Sequence, residues 1–398
     1  MPRGLSRNTL GVCKTVLNHG TRGTTVPASR PHDASGTRFA TNVSTVRIAQ
    51  VSPLYESVPP ETYGGTERVV SILTEELVRA GHDVTLFASG DSRTSARLVP
   101  VTERSLRLDP DAVDSLAHHV LMLERVHRER HEFDIIHYHI DYLHFPLSRR
   151  TSVPHVTTLH GRLDLKDLQA LYDEYQDMPV VSISDSQREP LPQARWHSTV
   201  HHGLPVDLYA PGEGRGDYLL FLGRISPEKR VDRAIEVARR SGLKLRIAAK
   251  IDDADQTYFK EQIEPLFSQP FVEFIGEVGD TEKGELLAGA RGLLFLIDWR
   301  EPFGLVMIEA MACGTPTIAW DAGSVGEVLS DGLTGFIVRS VDEAVSAVGR
   351  LPSLSRPAIR REFEQRFTAS RMAGDYVAVY EDLIATWPRV AESRRRPA

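Results

Sequence analysis

The chain has 398 residues, a formal net charge of −7, 41% apolar residues and 25% charged residues, an ordinary balance for a globular protein. That length suggests two or three domains, and the acidic balance argues against nucleic acid as a partner. Cys13 and Cys313 have neither metal-type spacing nor the numbers for a disulfide framework, which suits a reducing cytoplasm, and no apolar run approaches the ~20 residues of a membrane-spanning helix.

Residues 1–45 carry Arg3, Arg7, Lys14, Arg22, Arg30 and Arg38 against the single acid Asp33. They are rich in Ser, Thr and Gly and lack apolar periodicity, so a disordered extension or an upstream start codon is expected. The basic, acid-poor composition also suits an organelle transit peptide superficially, while a secretory signal lacks its apolar core. From Val46 the pattern becomes regular. Val46–Val51 reads as a buried strand. Thr66–Ala80 reads as an amphipathic helix with Val69, Val70, Leu73, Leu77 and Val78 on one face, ending at Gly81. Apolar strands follow at Val84–Ala88, Ile135-Ile136, Val156–Leu159 and Val180–Ile183, with helical stretches such as Ala112–Arg130 between them.

The Pro/Gly-rich segment 206–216 reads as a linker. The alternation then restarts: strand Tyr218–Leu222, helix Val231–Arg240, strand Leu243–Ala248, then strands Phe271–Ile275, Leu293–Ile297 and Thr315–Ala319. A last amphipathic helix, Arg371–Thr386, precedes a basic tail, residues 388–398. Strands alternating with helices indicate parallel sheets covered on both faces. The expected fold is therefore α/β, with two doubly wound Rossmann-like domains, 46–205 and 217–370, facing each other across a cleft. Ligands in such sheets sit beyond the carboxyl ends of the strands.

Four segments place chemistry at those ends. In Glu301-Pro-Phe-Gly-Leu-Val-Met-Ile-Glu309, a strand leads through a loop into a helix from Gly304 to Ala312. Free N–H groups near Phe303, Gly304 and Leu305 would favour an anion. Carboxylates at Glu301 and Glu309 suit vicinal diols, one on a sugar and one on a ribose. The alternative is a capped helix with a surface Glu. Gly223-Arg224 follows the first strand of the second domain, and Lys229 is expected to open the next helix. This pair suits a pyrophosphate and the charge of a departing diphosphate; a solvated basic loop is the alternative. Tyr63-Gly64-Gly65-Thr66-Glu67 would let backbone amides approach a phosphate, unless it is only a tight turn. His160, in Thr157-Thr-Leu-His-Gly161, would point into the cleft toward a sugar hydroxyl or phosphate, or serve as a structural His.

Other patterns have plainer readings. Asp253-Ala-Asp255 reads as a helix start rather than a metal site. His137-Tyr-His139-Ile-Asp141 lacks the further ligands of a metallohydrolase. The basic stretch Arg125–His131 reads as a solvated helix face, with peripheral membrane contact as its alternative.

Taken together and in this order, Gly64-Gly65-Thr66-Glu67, Thr158-Leu-His160-Gly161, His202-Gly203, Gly223-Arg224 with Lys229, Gly276-Glu277, and Glu301-Pro-Phe-Gly through Glu309-Ala-Met-Ala-Cys-Gly-Thr-Pro316 resemble the family 4 retaining glycosyltransferases of the GT-B fold. The resemblance runs from about Val46 to Thr386. It implies that the carboxyl-terminal domain holds a nucleotide-diphosphate sugar and the amino-terminal domain an acceptor. Arg224 and Lys229 would grip the diphosphate, Glu301 the donor sugar and Glu309 the ribose. Gly65 would meet the distal phosphate on closure, His160 would lie near the reacting centre, and the last helix would cross back to the first domain. The family often has Arg-Gly-Ser-x-Pro-Glu where this chain has Ala322-Gly-Ser-Val-Gly326-Glu327, so no role is carried onto that loop.

The expected activity is a retaining hexosyl transfer from a nucleotide sugar to a sugar, lipid or small-molecule acceptor, with no obligatory cofactor or metal. Three rivals stand beside it. They are a glycosidase using Glu301 and Glu309, a zinc hydrolase using His137 and His139, and a non-catalytic nucleotide-sugar-binding protein. The donor base, the donor sugar and the acceptor are not legible in these motifs.

Overall fold

The computed structural model describes residues 45–61 and 64–388. The expectations for residues 1–44, Tyr63 and residues 389–398 lie outside them. Apolar runs buried on both faces produce two fully parallel sheets. The first holds β1 (Arg47–Val51), β2 (Asp83–Ser89), β3 (Arg97–Thr102), β4 (Ile135–Tyr138), β5 (His155–Thr158), β6 (Pro179–Ser182) and β7 (Arg195–Thr199), in the order β3-β2-β1-β4-β5-β6-β7. The second holds β8 (Tyr218–Arg224), β9 (Lys244–Lys250), β10 (Val272–Gly276), β11 (Gly292–Phe295), β12 (Thr317–Trp320) and β13 (Gly335–Val338), in the order β10-β9-β8-β11-β12-β13. Strand order reverses between β1 and β4 in one sheet and between β8 and β11 in the other. Crevices at the carboxyl ends of such reversals are where doubly wound sheets receive ligands.

The helix Gly65–Arg79 packs Val69, Leu73 and Leu77 onto the first sheet. The chain's last helix, Ala369–Thr386, buries Met372, Tyr376, Tyr380 and Leu383 in that same cluster, so the chain returns to the first sheet after completing the second. Thr368 caps this helix by accepting from the Arg371 amide. Segment 206–216 is pinned along the second domain. Gly212, Gly214 and Gly216 donate backbone bonds to Cys313, Ala288 and Gly289, and Tyr209 is buried in the core beneath. Among the described residues, no helix is long and apolar enough to cross a membrane.

Candidate active site

A cleft of ≈ 720 Å³ lies between the carboxyl ends of the two sheets, a size suited to a small organic ligand. Its walls include Gly64, Gly65, His160, Arg224, Lys229, Glu301, Phe303, Gly304, Leu305 and Glu309, so all the sequence-derived candidates meet in one place.

Two helix amino termini converge there. Gly64 precedes the helix Gly65–Arg79, and a Cβ at Gly64 would stand 2.7 Å from Pro60 Cβ, which excludes any larger residue without movement. On the facing side Gly304, at φ 80°, precedes the helix Leu305–Ala312. A side chain there would meet both that conformational penalty and Met307 Cε at 2.8 Å. A Cβ on Gly65 would reach Leu305 Cδ1 at 3.9 Å, so the two amino termini oppose each other across the cleft. Unpaired N–H groups at both ends favour an anion between them.

The cations come from strand ends. Arg224 closes β8, where Asp252 (3.0 Å) and Glu228 (3.1 Å) accept from its guanidinium. Lys229 does not open the following helix, as its position after the strand suggested. It ends a 3-10 turn, Pro227–Lys229, and Arg230 in the left-handed region (φ 52°) intervenes before the helix begins at Val231. That detour carries the Lys229 ammonium onto Glu301 and over the Trp299 ring, 4.8 Å from its centroid. Trp299 Nε1 also donates to Glu301 at 3.0 Å. Glu309, largely buried, pairs with Lys283 at 2.9 Å. Each carboxylate expected to hold a diol is thus presented by a partner cation. Lys283 went unnoticed in the sequence. It lies one turn into the helix Asp280–Gly289, after β10, the same strand–loop–helix placement that singled out Lys229. Phe303 buries its ring edge-on against His202, with centroids 4.9 Å apart, joining the two domains.

His160 ends a buried polar chain. Gln50 Nε2 donates to the Tyr380 hydroxyl (3.0 Å), and Gln50 Oε1 accepts from His139 Nε2 (2.7 Å). A neutral His139 therefore offers Nδ1 as an acceptor, and His160 Nε2 donates to it at 2.9 Å. This fixes the proton of His160 on Nε2 and leaves Nδ1 as its lone-pair nitrogen. Beyond Tyr380 the chain continues through His137 (2.7 Å) and Thr158 (2.7 Å) to Tyr376 (2.8 Å). Burial drives His137, His139 and His202 well below the usual imidazole range and His160 down to about 3, so all four are neutral at physiological pH. Both nitrogens of His137 and of His139 are engaged in these bonds. Among the described residues no group of three or more His, Cys, Asp or Glu side chains is arranged to hold a metal ion.

Asp253–Asp255 forms a 3-10 turn, with Asp252 and Asp255 beside Arg224. In the loop that departs from the family pattern, the Glu327 carboxylate accepts from the amides of Asp185 (2.7 Å) and Ser186 (2.6 Å) and bonds His201 Nε2 (3.3 Å). Desolvation opposes its ionisation, but these bonds outweigh it and hold the carboxyl below its usual range. Glu327 thus ties the second domain to the first. Arg125 and Arg128, in the basic stretch considered for membrane contact, pair with Glu129 and Glu124 along their own helix.

Residues 212–364 match the family model described as glycosyl transferases group 1, and residues 63–196 match the model for glycosyltransferase family 4. The alpha-maltose-1-phosphate synthase of Mycolicibacterium smegmatis is 26% identical over 74% of this chain and 84% of its own length. The D-inositol 3-phosphate glycosyltransferase of the same organism is 25% identical over 90% and 97%. Among solved structures, AviGT4, a glycosyltransferase of avilamycin A biosynthesis, superposes with a TM-score of 0.66 at 25% identity, covering 86% of this chain and all (100%) of its own. The sucrose-phosphate synthase of Thermosynechococcus elongatus gives 0.70 at 18% identity over 85% and 99%, a likeness of fold.

Proposed function

The chain belongs to the group 1 glycosyltransferases, and from that premise we propose that it transfers a hexose from a nucleoside-diphosphate sugar to an acceptor hydroxyl with retention of configuration. The observation that carries this reading is the meeting of Arg224, Lys229 and two opposed helix amino termini in one cleft. A diphosphate held there would replace the carboxylates that now occupy the cations. Lys229 released from Glu301 would leave that carboxylate for the donor sugar's hydroxyls, and Glu309, held by Lys283, would face the ribose. Uridine diphosphate glucose is the first donor to try, because the Anabaena protein HepE, which shares the fold, was crystallised with it.

In the reaction the bond between the anomeric carbon and the diphosphate oxygen breaks as the acceptor oxygen bonds to that carbon on the same face. The acceptor's proton passes to the departing diphosphate. Arg224, Lys229 and the helix amides stabilise the charge that builds on the leaving group, so the reading requires no metal ion for that task. His160, neutral with its lone pair on Nδ1, serves as a hydrogen-bond acceptor beside the reacting centre. The glycosidase alternative needs one protonated carboxyl, whereas Glu301 and Glu309 are each ion-paired to a lysine. Proton NMR of the product gives the test: the anomeric configuration of the donor should persist, and inversion would remove the same-face reading.

A further inference from the structure

The helix Gly65–Arg79 brings a second group to the cleft besides its amino-terminal amides. Arg68, one turn in, is buried and lines the cleft. Its guanidinium crosses from the first domain to the second and donates to Asp280 Oδ2, at the start of the helix Asp280–Gly289. The other Asp280 oxygen accepts from the Tyr209 hydroxyl at 3.1 Å and lies 3.3 Å from Lys283 Nζ. Lys283 in turn donates to Glu309 at 2.9 Å. Arg68, Asp280, Lys283 and Glu309 thus form a row of alternating charge. It begins in the first domain and ends on the carboxylate assigned to the ribose. Burial works against the charge on Arg68, but Asp280 and Glu309 outweigh it and hold the guanidinium above its usual range. Desolvation likewise disfavours the charge on Asp280, yet Arg68 and Lys283 hold that carboxyl below its usual range.

Lys283 is the shared member of the row. It has two carboxylates within reach, and its shorter contact is to Glu309. That balance depends on Arg68. With the guanidinium in place, much of the Asp280 charge is compensated and its pull on Lys283 is weak. With the guanidinium removed, Asp280 becomes a partly buried carboxylate short of one cation, and the ammonium is drawn toward it. Glu309 then loses the donor that fixes its orientation, and a misaligned carboxylate no longer accepts from both hydroxyls of a diol. The helix that carries Arg68 also points its amide terminus at the diphosphate position, so one rigid element of the first domain addresses both ends of a nucleotide.

We propose that Arg68 is a positioning residue for the donor: by engaging Asp280 from the opposite domain it leaves Lys283 to Glu309, and so sets how strictly the site demands a ribose diol. The inference rests on the transferase reading, with Glu309 on the ribose. Titration calorimetry on the full chain tests it with uridine, guanosine and adenosine diphosphates and their 2′-deoxy counterparts. The readout is the ratio of the two affinities for whichever base binds. The wild type should prefer the ribonucleotide about tenfold or more, the worth of a hydrogen bond to a charged group. Arg68→Met should lower that ratio to about twofold or less. Asp280→Asn should keep the wild-type ratio, and adding it to Arg68→Met should restore that ratio, because the competitor for Lys283 is gone. A strut that only joined the domains would lower both affinities together and show no such rescue. Asp280→Asn and the double variant keep the test readable if Arg68→Met does not fold. An unchanged ratio in Arg68→Met, a lost ratio in Asp280→Asn, or a double variant well below the wild type would each overturn the relay. A wild type that binds ribo and deoxy forms equally would overturn it through Glu309, with nucleotide binding intact. Absence of binding by every nucleotide in the wild type would instead strike the transferase reading.

Discussion

Removing a single hydroxyl from the last helix should damage the first domain more than its size suggests. In Tyr380→Phe, Gln50 Nε2 loses its acceptor at 3.0 Å and His137 Nδ1 its partner at 2.7 Å. Gln50, His137 and Tyr380 are all fully buried, so water cannot take the hydroxyl's place. An unsatisfied buried polar group costs about 1–3 kcal/mol, which puts the variant about 2–5 kcal/mol below wild type. For a domain of this size that corresponds to a melting shift of roughly 5–15 °C. Tyr376→Phe is the matched control. Its hydroxyl bonds only Thr158 Oγ1, which keeps its bond to His137 Nε2, so the cost should be near 1 kcal/mol. Thermal and urea unfolding followed by fluorescence measures both. Turnover should also fall further in Tyr380→Phe, because Gln50 no longer has a fixed orientation with which to set the tautomers of His139 and His160. A Tyr380→Phe variant that melts with or above Tyr376→Phe would refute the relay.

Two pH dependences follow from burial and run in opposite directions. Desolvation raises Glu67 to about 7, so the folded state keeps a proton that the unfolded chain releases above its ordinary value of 4.5. Stability should fall as pH rises from about 4.5 to 7, and Glu67→Gln should regain up to about 3 kcal/mol at pH 8.5 while changing little at pH 4. Urea midpoints of the two proteins at the two pH values check this, and equal differences at both would contradict it. His160, depressed to about 3 by burial, has the opposite effect. Its stability is fully present above 6.5 and is lost as pH falls toward 3, at about 2–3 kcal/mol by pH 4.5. In the Glu67→Gln background, acidification from pH 7 to 4.5 should therefore lower the urea midpoint steeply, and a flat profile would count against neutral buried imidazoles. Glu327→Ala deletes the carboxylate shared by Asp185, Ser186 and His201; it should cost about 2 kcal/mol and speed proteolysis between the two domains, which limited trypsin digestion would detect.

The alternation of the two sheets is legible because central parallel strands are buried on both faces and appear as apolar runs, as in Leu219-Leu-Phe-Leu222. The strands that escape this signal are β3 and β7, the two edges of the first sheet; β13, Gly335-Phe-Ile-Val338, is apolar but only four residues long and is not among the expected strands. Arg97-Leu-Val-Pro-Val-Thr102 and Arg195-Trp-His-Ser-Thr199 carry polar or Pro residues that a half-exposed edge tolerates. The candidate residues are legible one by one, since each follows a strand. Their pairing is not, because Lys229 and Glu301 lie 72 positions apart and meet only through the left-handed Arg230. Asp141 enters the sequence only through the discounted His137-Tyr-His139-Ile-Asp141 pattern, and its positive φ exists only in the folded chain.

The central claim is that Arg224 and Lys229 stabilise the departing diphosphate. The direct measurement is the rate of nucleoside diphosphate release from a bound nucleotide sugar in the presence of an acceptor, for wild type, Arg224→Ala and Lys229→Ala, with donor affinity determined separately by calorimetry. Each substitution should slow turnover at saturating donor by ~10²-fold or more, beyond any loss of affinity. Unchanged turnover in both, with donor still bound, would contradict the account.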